Sequence, residues 1–160
     1  IELDYAVEEE PLGTGGAILN ALSSARQDNV FIINGDTFFN VDLKNLLSRH
    51  LSYQSELTLS LKPMQNFDRY GCVEVDASHK VRSFKEKEFV LQGNINGGIY
   101  ILNKKIFQSF DFPMVFSFET FMQENLNNIN IYADIINNYF IDIGIPEDYK
   151  KAQNELEKYL

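Results

Sequence analysis

Residues 1–7, Ile-Glu-Leu-Asp-Tyr-Ala-Val, alternate apolar and polar positions and predict a strand at the start of the chain. Pro11 and Gly13 then mark a loop, with Thr14 available as a cap, and Ile18, Ala21, Leu22 and Ala25 share one face of a helix predicted over 17–26. The unbroken apolar run Val30–Ile33 predicts a fully buried strand, and it ends abruptly in Asn34-Gly35-Asp36. Asn40 or Asp42 opens a helix whose stripe is Leu43, Leu46, Leu47 and Leu51, with His50 on its edge as a structural residue. Leu57, Leu59 and Leu61 alternate in a half-buried strand that Pro63 is expected to end.

Further along, residues 71–87 read as a hairpin turning at Asp76–Lys80, and 94–102 as a strand entered through Gly97-Gly98. A short helix starts at Lys104, and Ser117 caps another that carries Glu119 and Glu124 on its surface. Two more strands follow, at 128–134 and 137–144, the second closing on Asp142 and Gly144. Pro146 sits at the first position of a terminal helix, with Glu147 and Asp148 in its first turn and Tyr149, Ala152, Leu156 and Tyr159 facing inward. Strands alternating with helices, then hairpins, predict one α/β domain over 1–160: a three-layer α/β/α sandwich on a mostly parallel, mixed, Rossmann-like sheet.

Bulk properties remove several function classes. A formal net charge of -9 argues against nucleic-acid binding, which needs clustered Lys and Arg. No window of 18 apolar residues predicts a membrane span, and the first residues lack the basic start and apolar core of a signal peptide, so a cytoplasmic location is the default expectation. The one cysteine, Cys72, excludes an internal disulfide and reads as a small buried strand residue, while two histidines exclude a His-rich metal site.

In open α/β sheets ligands collect beyond the carboxyl ends of strands, and Asp36 and Asp142 both fall at such ends. Two converging carboxylates suit Mg²⁺, which takes oxygen ligands and completes its shell from water and substrate phosphates. Each aspartate alone also reads as an ordinary turn or helix cap; only their pairing points to a metal.

Six segments, Pro-Leu-Gly-Thr-Gly-Gly-Ala (11–17), Asn-Gly-Asp (34–36), Tyr-Gly-Cys-Val-Glu-Val-Asp (70–76), Phe-Lys-Glu-Lys (84–87), Asn-Gly-Gly-Ile-Tyr (96–100) and Asp-Ile-Gly-Ile-Pro-Glu-Asp-Tyr-Lys-Lys-Ala (142–152), occur in that order. Together they resemble the sugar-1-phosphate nucleotidyltransferases, in the branch that makes GDP-activated sugars, from about residue 5 to the last helix. The resemblance implies the nucleotide-diphospho-sugar transferase fold, and NTP (here GTP) and a sugar 1-phosphate, a heptose ahead of mannose, as substrates. It implies that Glu10, Pro11, Leu12, Gly13, Thr14 and Gly35 hold the nucleotide, with Gly15 and Gly16 letting the backbone approach the base. Asp36 and Asp142 would bind Mg²⁺, Lys87 the sugar phosphate, and Tyr70, Gly71, Glu86, Asn96, Gly97 and Gly98 the sugar. Gly97 stands where the family has alanine.

One feature of the family has no match. Its opening Gly-Gly-x-Gly-Thr-Arg-Leu loop, which wraps the triphosphate, is absent, and Gly13–Gly16 is the base loop instead. The expectation is therefore a chain lacking its first βαβ portion and inactive by itself. Mannose-1-phosphate guanylyltransferase, glucose-1-phosphate thymidylyl-, uridylyl- or cytidylyltransferase and a non-catalytic binding domain remain as alternatives. A glycosyltransferase of related fold would want Asp-x-Asp where the chain has Asp36-Thr37-Phe38. Self-association into a homo-oligomer also stays open.

Overall fold

A computed structural model describes residues 2–159. Its central strand is β6 (Val90–Asn103), which pairs along its length with β3 (Leu57–Phe67), while β7 (Ile131–Ile135) adds to the far side of β3. The other edge of β6 is shared. β4 (Cys72–Val75), backed by β5 (Val81–Lys85), meets it at Ile95, and β1 (Asn29–Ile33) takes it from Ile99 to Asn103. The strands β1, β3 and β7 run one way and β6 runs against them, so within the described residues only β3 and β7 are parallel neighbours. The expected mostly parallel sheet is thus corrected to one split by an antiparallel β6. A separate two-stranded sheet joins β2 (Thr37–Phe39) to β8 (Phe140–Asp142).

Side chains of β6 alternate between two cores, as the pleat requires. Tyr100 and Leu102 pack with Leu57, Leu59, Phe118, Phe121 and Met122 on one face; Ile99 and Ile101 pack with Phe39 and Leu46 on the other. The first face is covered by α1 (Gly13–Leu22) and α3 (Phe118–Glu124), the second by α2 (Leu43–Ser52) and the small sheet, which carries α4 (Pro146–Glu155). Three layers result.

Local sequence rules account for most boundaries. Asp42 caps α2 by accepting from the N–H groups of Lys44 and Asn45, and Ser117 caps α3 through Thr120 N–H. The 76–80 turn is held by Asp76, whose carboxylate accepts from Ser78 and Lys80 N–H, with His79 at φ 67°. Four expectations fail. Residues 2–8 form no strand and leave Leu3, Tyr5 and Val7 71%, 84% and 81% exposed, because no described strand runs beside them to supply hydrogen-bond partners. The strand β1 is not fully buried: Ile33 is 54% exposed and Phe31 38%, because neither joins the apolar cluster that Phe39 and Leu46 build over β6. Pro63 does not end β3, which continues to Phe67; it lies beyond Leu61, the last residue paired to β7, where the strand has become an edge that tolerates a missing N–H. Finally, α1 begins at Gly13 rather than Ala17, and Thr14 spends its hydroxyl on Phe118 N–H at the start of α3.

His50 is buried as expected of a structural residue. Its Nδ1 lies 2.8 Å from Thr58 Oγ1 and its Nε2 3.3 Å from Asn29 Oδ1, so the ring serves as acceptor and donor while neutral. Burial lowers its pKa. A depressed folded-state value means the unfolded chain binds the proton more readily, so this stabilisation is present above the unfolded value of about 6.5 and is lost as pH falls below it. Urea midpoints measured from pH 7 to pH 5 are expected to fall more steeply for the wild type than for His50→Asn.

Candidate active site

Residues 97–99 of β6 stand opposite the single residue Ser60, because Asn96 pairs with Leu61 and Tyr100 with Leu59. This bulge explains the glycines. Gly98 adopts φ 73°, and a Cβ on Gly97 would lie 2.5 Å from the Phe39 ring. The bulge falls where the edge of β6 passes from β4 to β1, so the sheet is notched there. Asn96, at the notch, donates from its amide nitrogen to Tyr100 Oη at 2.7 Å and to Glu119 Oε1 at 3.2 Å, while its oxygen accepts from Gly98 N–H.

A cavity of about 370 Å³ opens beside this notch. Tyr70 and Gly71 enter it just before β4, Glu86 and Lys87 just after β5, Asn96 from β6, and Glu119, Thr120 and Gln123 from α3. Five of the residues singled out in the sequence are therefore brought together. Gly97 and Gly98 do not line it: a Cβ on Gly97 would meet the Phe39 ring, and one on Gly98 the Asn34 side chain. Glu119, Thr120 and Gln123 were missed: their helix read as a solvated face, and the i, i+1, i+4 spacing that puts all three on one side does not say what that side meets.

Tyr70 links this cavity to Asp142. Its hydroxyl donates to Asp142 Oδ2 at 3.1 Å, and Gly144 N–H donates to Asp142 Oδ1 at 2.7 Å. Burial, reinforced by the Asp142 charge, pushes the Tyr70 hydroxyl up to about 12, so it stays a donor at neutral pH. Asp142 pairs directly with Thr37 across the small sheet, and Ile143 N–H donates to the Asp36 carbonyl. Thr37 Oγ1 in turn donates to Asp36 Oδ1 at 3.2 Å. Asp36 precedes the regular pleat of β2, and its carboxylate is drawn to the side chain that faces Asp142. A Cβ on Gly35 would meet nothing within 4 Å, leaving the approach to Asp36 open, whereas one on Gly144 would sit 2.9 Å from Asp142 Oδ1.

Glu10, Pro11, Leu12, Gly13 and Thr14 lie apart from that cavity's walls, at the mouth of α1, tied to the segment that leads into α3. Phe116 N–H donates to the Leu12 carbonyl, Gly15 N–H to the Phe116 carbonyl, and Phe118 N–H to Thr14 Oγ1 at 2.9 Å. Gly15 and Gly16 are buried, and the ring approached most closely is that of Phe116, 2.2 Å from a Cβ built on Gly15. Protein packing thus already requires glycine at 15.

The oxygen-only donor set of Asp36 and Asp142 fits a hard divalent cation. No cluster of three His, Cys, Asp or Glu suited to a metal exists among the described residues, so such an ion would need water and phosphate oxygens to complete its shell.

Residues 1–159 match the nucleotidyl transferase family. The chain belongs to that family. It is 50% identical over its whole length to D-glycero-alpha-D-manno-heptose 1-phosphate guanylyltransferase of Aneurinibacillus thermoaerophilus, covering 70% of that protein. It is also 50% identical, over 93% of its length, to the enzyme of that name from Campylobacter jejuni subsp. jejuni, covering 65% of it. Among solved structures, HddC from Yersinia pseudotuberculosis superposes with a TM-score of 0.82 at 40% identity, across 96% of this chain and 65% of that one; a GMP-PN complex of HddC gives 0.79. This nucleotidyl transferase chain therefore spans about two thirds of the length of these relatives. Among its described residues no helix is long and apolar enough to cross a membrane.

Proposed function

We propose that the protein transfers a guanylyl group from GTP to D-glycero-α-D-manno-heptose 1-phosphate, releasing pyrophosphate and GDP-heptose. The observation that carries this reading is the Tyr70–Asp142 hydrogen bond, which joins a sugar-sized, polar cavity to the carboxylate pair within a chain half identical to two heptose 1-phosphate guanylyltransferases.

An oxygen of the sugar phosphate attacks the α-phosphorus of GTP; the new P–O bond forms as the bond to the β-phosphate bridging oxygen breaks, and that oxygen leaves with pyrophosphate. The attacking oxygen is already anionic, so no general base is required, and neither histidine lines the cavity. The work left to the protein is positioning and charge balance. Lys87 sets an ammonium against the attacking phosphate. Glu86, Asn96 and Glu119 offer polar groups to the sugar hydroxyls, with Asn96 held in place by Tyr100. Segment 10–14 holds the base, and Gly35 keeps the path to Asp36 free of side chains. Mg²⁺, held by Asp36 and Asp142, supplies charge neutralisation at the phosphates when bound.

The test is pyrophosphate release by the intact protein with GTP and each candidate sugar 1-phosphate. Turnover with the heptose exceeding that with mannose 1-phosphate supports the proposal; turnover with glucose 1-phosphate and another NTP alone would sink it. In the same assay, Lys87→Ala is expected to raise KM for the sugar phosphate and lower kcat, with kcat/KM down by about 10²-fold, the upper end of what one charge-assisted contact supplies. GTP affinity should change less than twofold.

A further inference from the structure

Arg69 is absorbed by none of the roles above, yet it stands at the carboxylate pair. Its Nη1 lies 2.6 Å from Asp148 Oδ2 in the first turn of α4, its Nη2 4.0 Å from Asp142 Oδ2, and its guanidinium 5.4 Å from the Tyr70 ring centroid. The two contacts differ in kind. Asp148 takes a short charge-assisted hydrogen bond, whereas 4.0 Å from Asp142 is beyond hydrogen-bonding reach and leaves only charge. Asp142 does not need Arg69 for orientation, because Gly144 N–H and the Tyr70 hydroxyl already fix its two oxygens.

We infer that Arg69 is a built-in counter-charge that weakens binding of a divalent cation to the empty carboxylate pair, so that the metal enters together with the nucleotide's phosphates. This rests on the reading of Asp142 as a metal ligand. A dication on Asp142 and the Arg69 cation repel each other, and Arg69 also neutralises Asp148, whose negative charge would otherwise attract the ion. Removing Arg69 relieves both effects in the same direction. When phosphates are present, Arg69 is drawn to them as much as it is repelled by the ion, and the penalty cancels.

The experiment is a titration of the intact protein with Mn²⁺ at low salt, followed by the electron paramagnetic resonance signal of free Mn²⁺. For Arg69→Met the Mn²⁺ Kd is expected to fall about five-fold, from one charge acting on two across a short, largely solvated gap. Arg69→Lys, which keeps a cation, should stay within twofold of the wild type. The gain should shrink in 0.5 M KCl (a Debye length of about 4 Å) and vanish with a saturating non-hydrolysable GTP analogue. Should the methionine variant fail to fold, Arg69→Gln gives the same comparison. Unchanged or weaker Mn²⁺ binding without the arginine overturns the inference. Wild-type Mn²⁺ affinity in Asp142→Asn overturns the metal-ligand reading beneath it, and the inference with it.

Discussion

Replacing Asp142 by asparagine is expected to lower kcat of the intact protein by about 10²–10³-fold, the range for deleting one preorganised charge-stabilising group at a reacting centre. Asparagine keeps an oxygen that can accept from Gly144 N–H, so the turn after β8 should survive and circular dichroism should be unchanged. Asp36→Asn should cost a comparable factor, because the two residues sit at adjoining ends of the small sheet, with Thr37 paired to Asp142 and bonded to the Asp36 carboxylate. The double variant should lose little more than the worse single, since two ligands of one ion act as a unit. Losses that multiply would mean separate roles. Near-wild-type activity for either single variant would return that residue to a turn cap.

Gly15→Ala is expected to destabilise the fold by about 1–3 kcal/mol, the usual cost of overpacking, and to weaken GTP binding at the same time. The added methyl group meets the Phe116 ring at 2.2 Å, and that ring cannot swing freely because Phe112 stacks behind it with centroids 4.8 Å apart. Moving Phe116 also strains the Gly15–Phe116 and Phe116–Leu12 backbone bonds that hang segment 10–14 on the entry to α3. Chemical denaturation and a GTP titration report the two effects separately. Phe116→Ala in the same chain should relieve the clash, so the double variant should be more stable than the sum of the two single losses predicts. Strict additivity would show that the ring is not the obstacle.

Much of the candidate site was legible in the sequence because its residues lie in short segments whose local form is self-determined. Asp142-Ile-Gly144 makes its own turn, with the glycine N–H on the aspartate oxygen, and the 76–80 turn closes on Asp76. The helix face 119, 120, 123 was not read as part of the site, because nothing within α3 distinguishes a solvated side from one that walls a cavity built by β5 and β6. Arg69 was equally silent, since its partners Asp142 and Asp148 are more than seventy residues away.

By itself the sequence determined most element types, most caps and the α/β class, since periodicity, capping side chains and turn residues act over a few neighbours. It also carried, through six ordered segments, the family to which the chain belongs. Only the tertiary structure decided what each element meets. The alternation at 1–7 and the apolar run at 30–33 say which side chains could be buried, not whether a strand or helix lies against them, and Leu3, Tyr5, Val7 and Ile33 are left bare. The shared edge of β6, its bulge opposite Ser60 and the Tyr70–Asp142 bridge all depend on segments dozens of residues apart taking one register rather than another. That choice follows from the packing of the whole sheet, which no local pattern encodes.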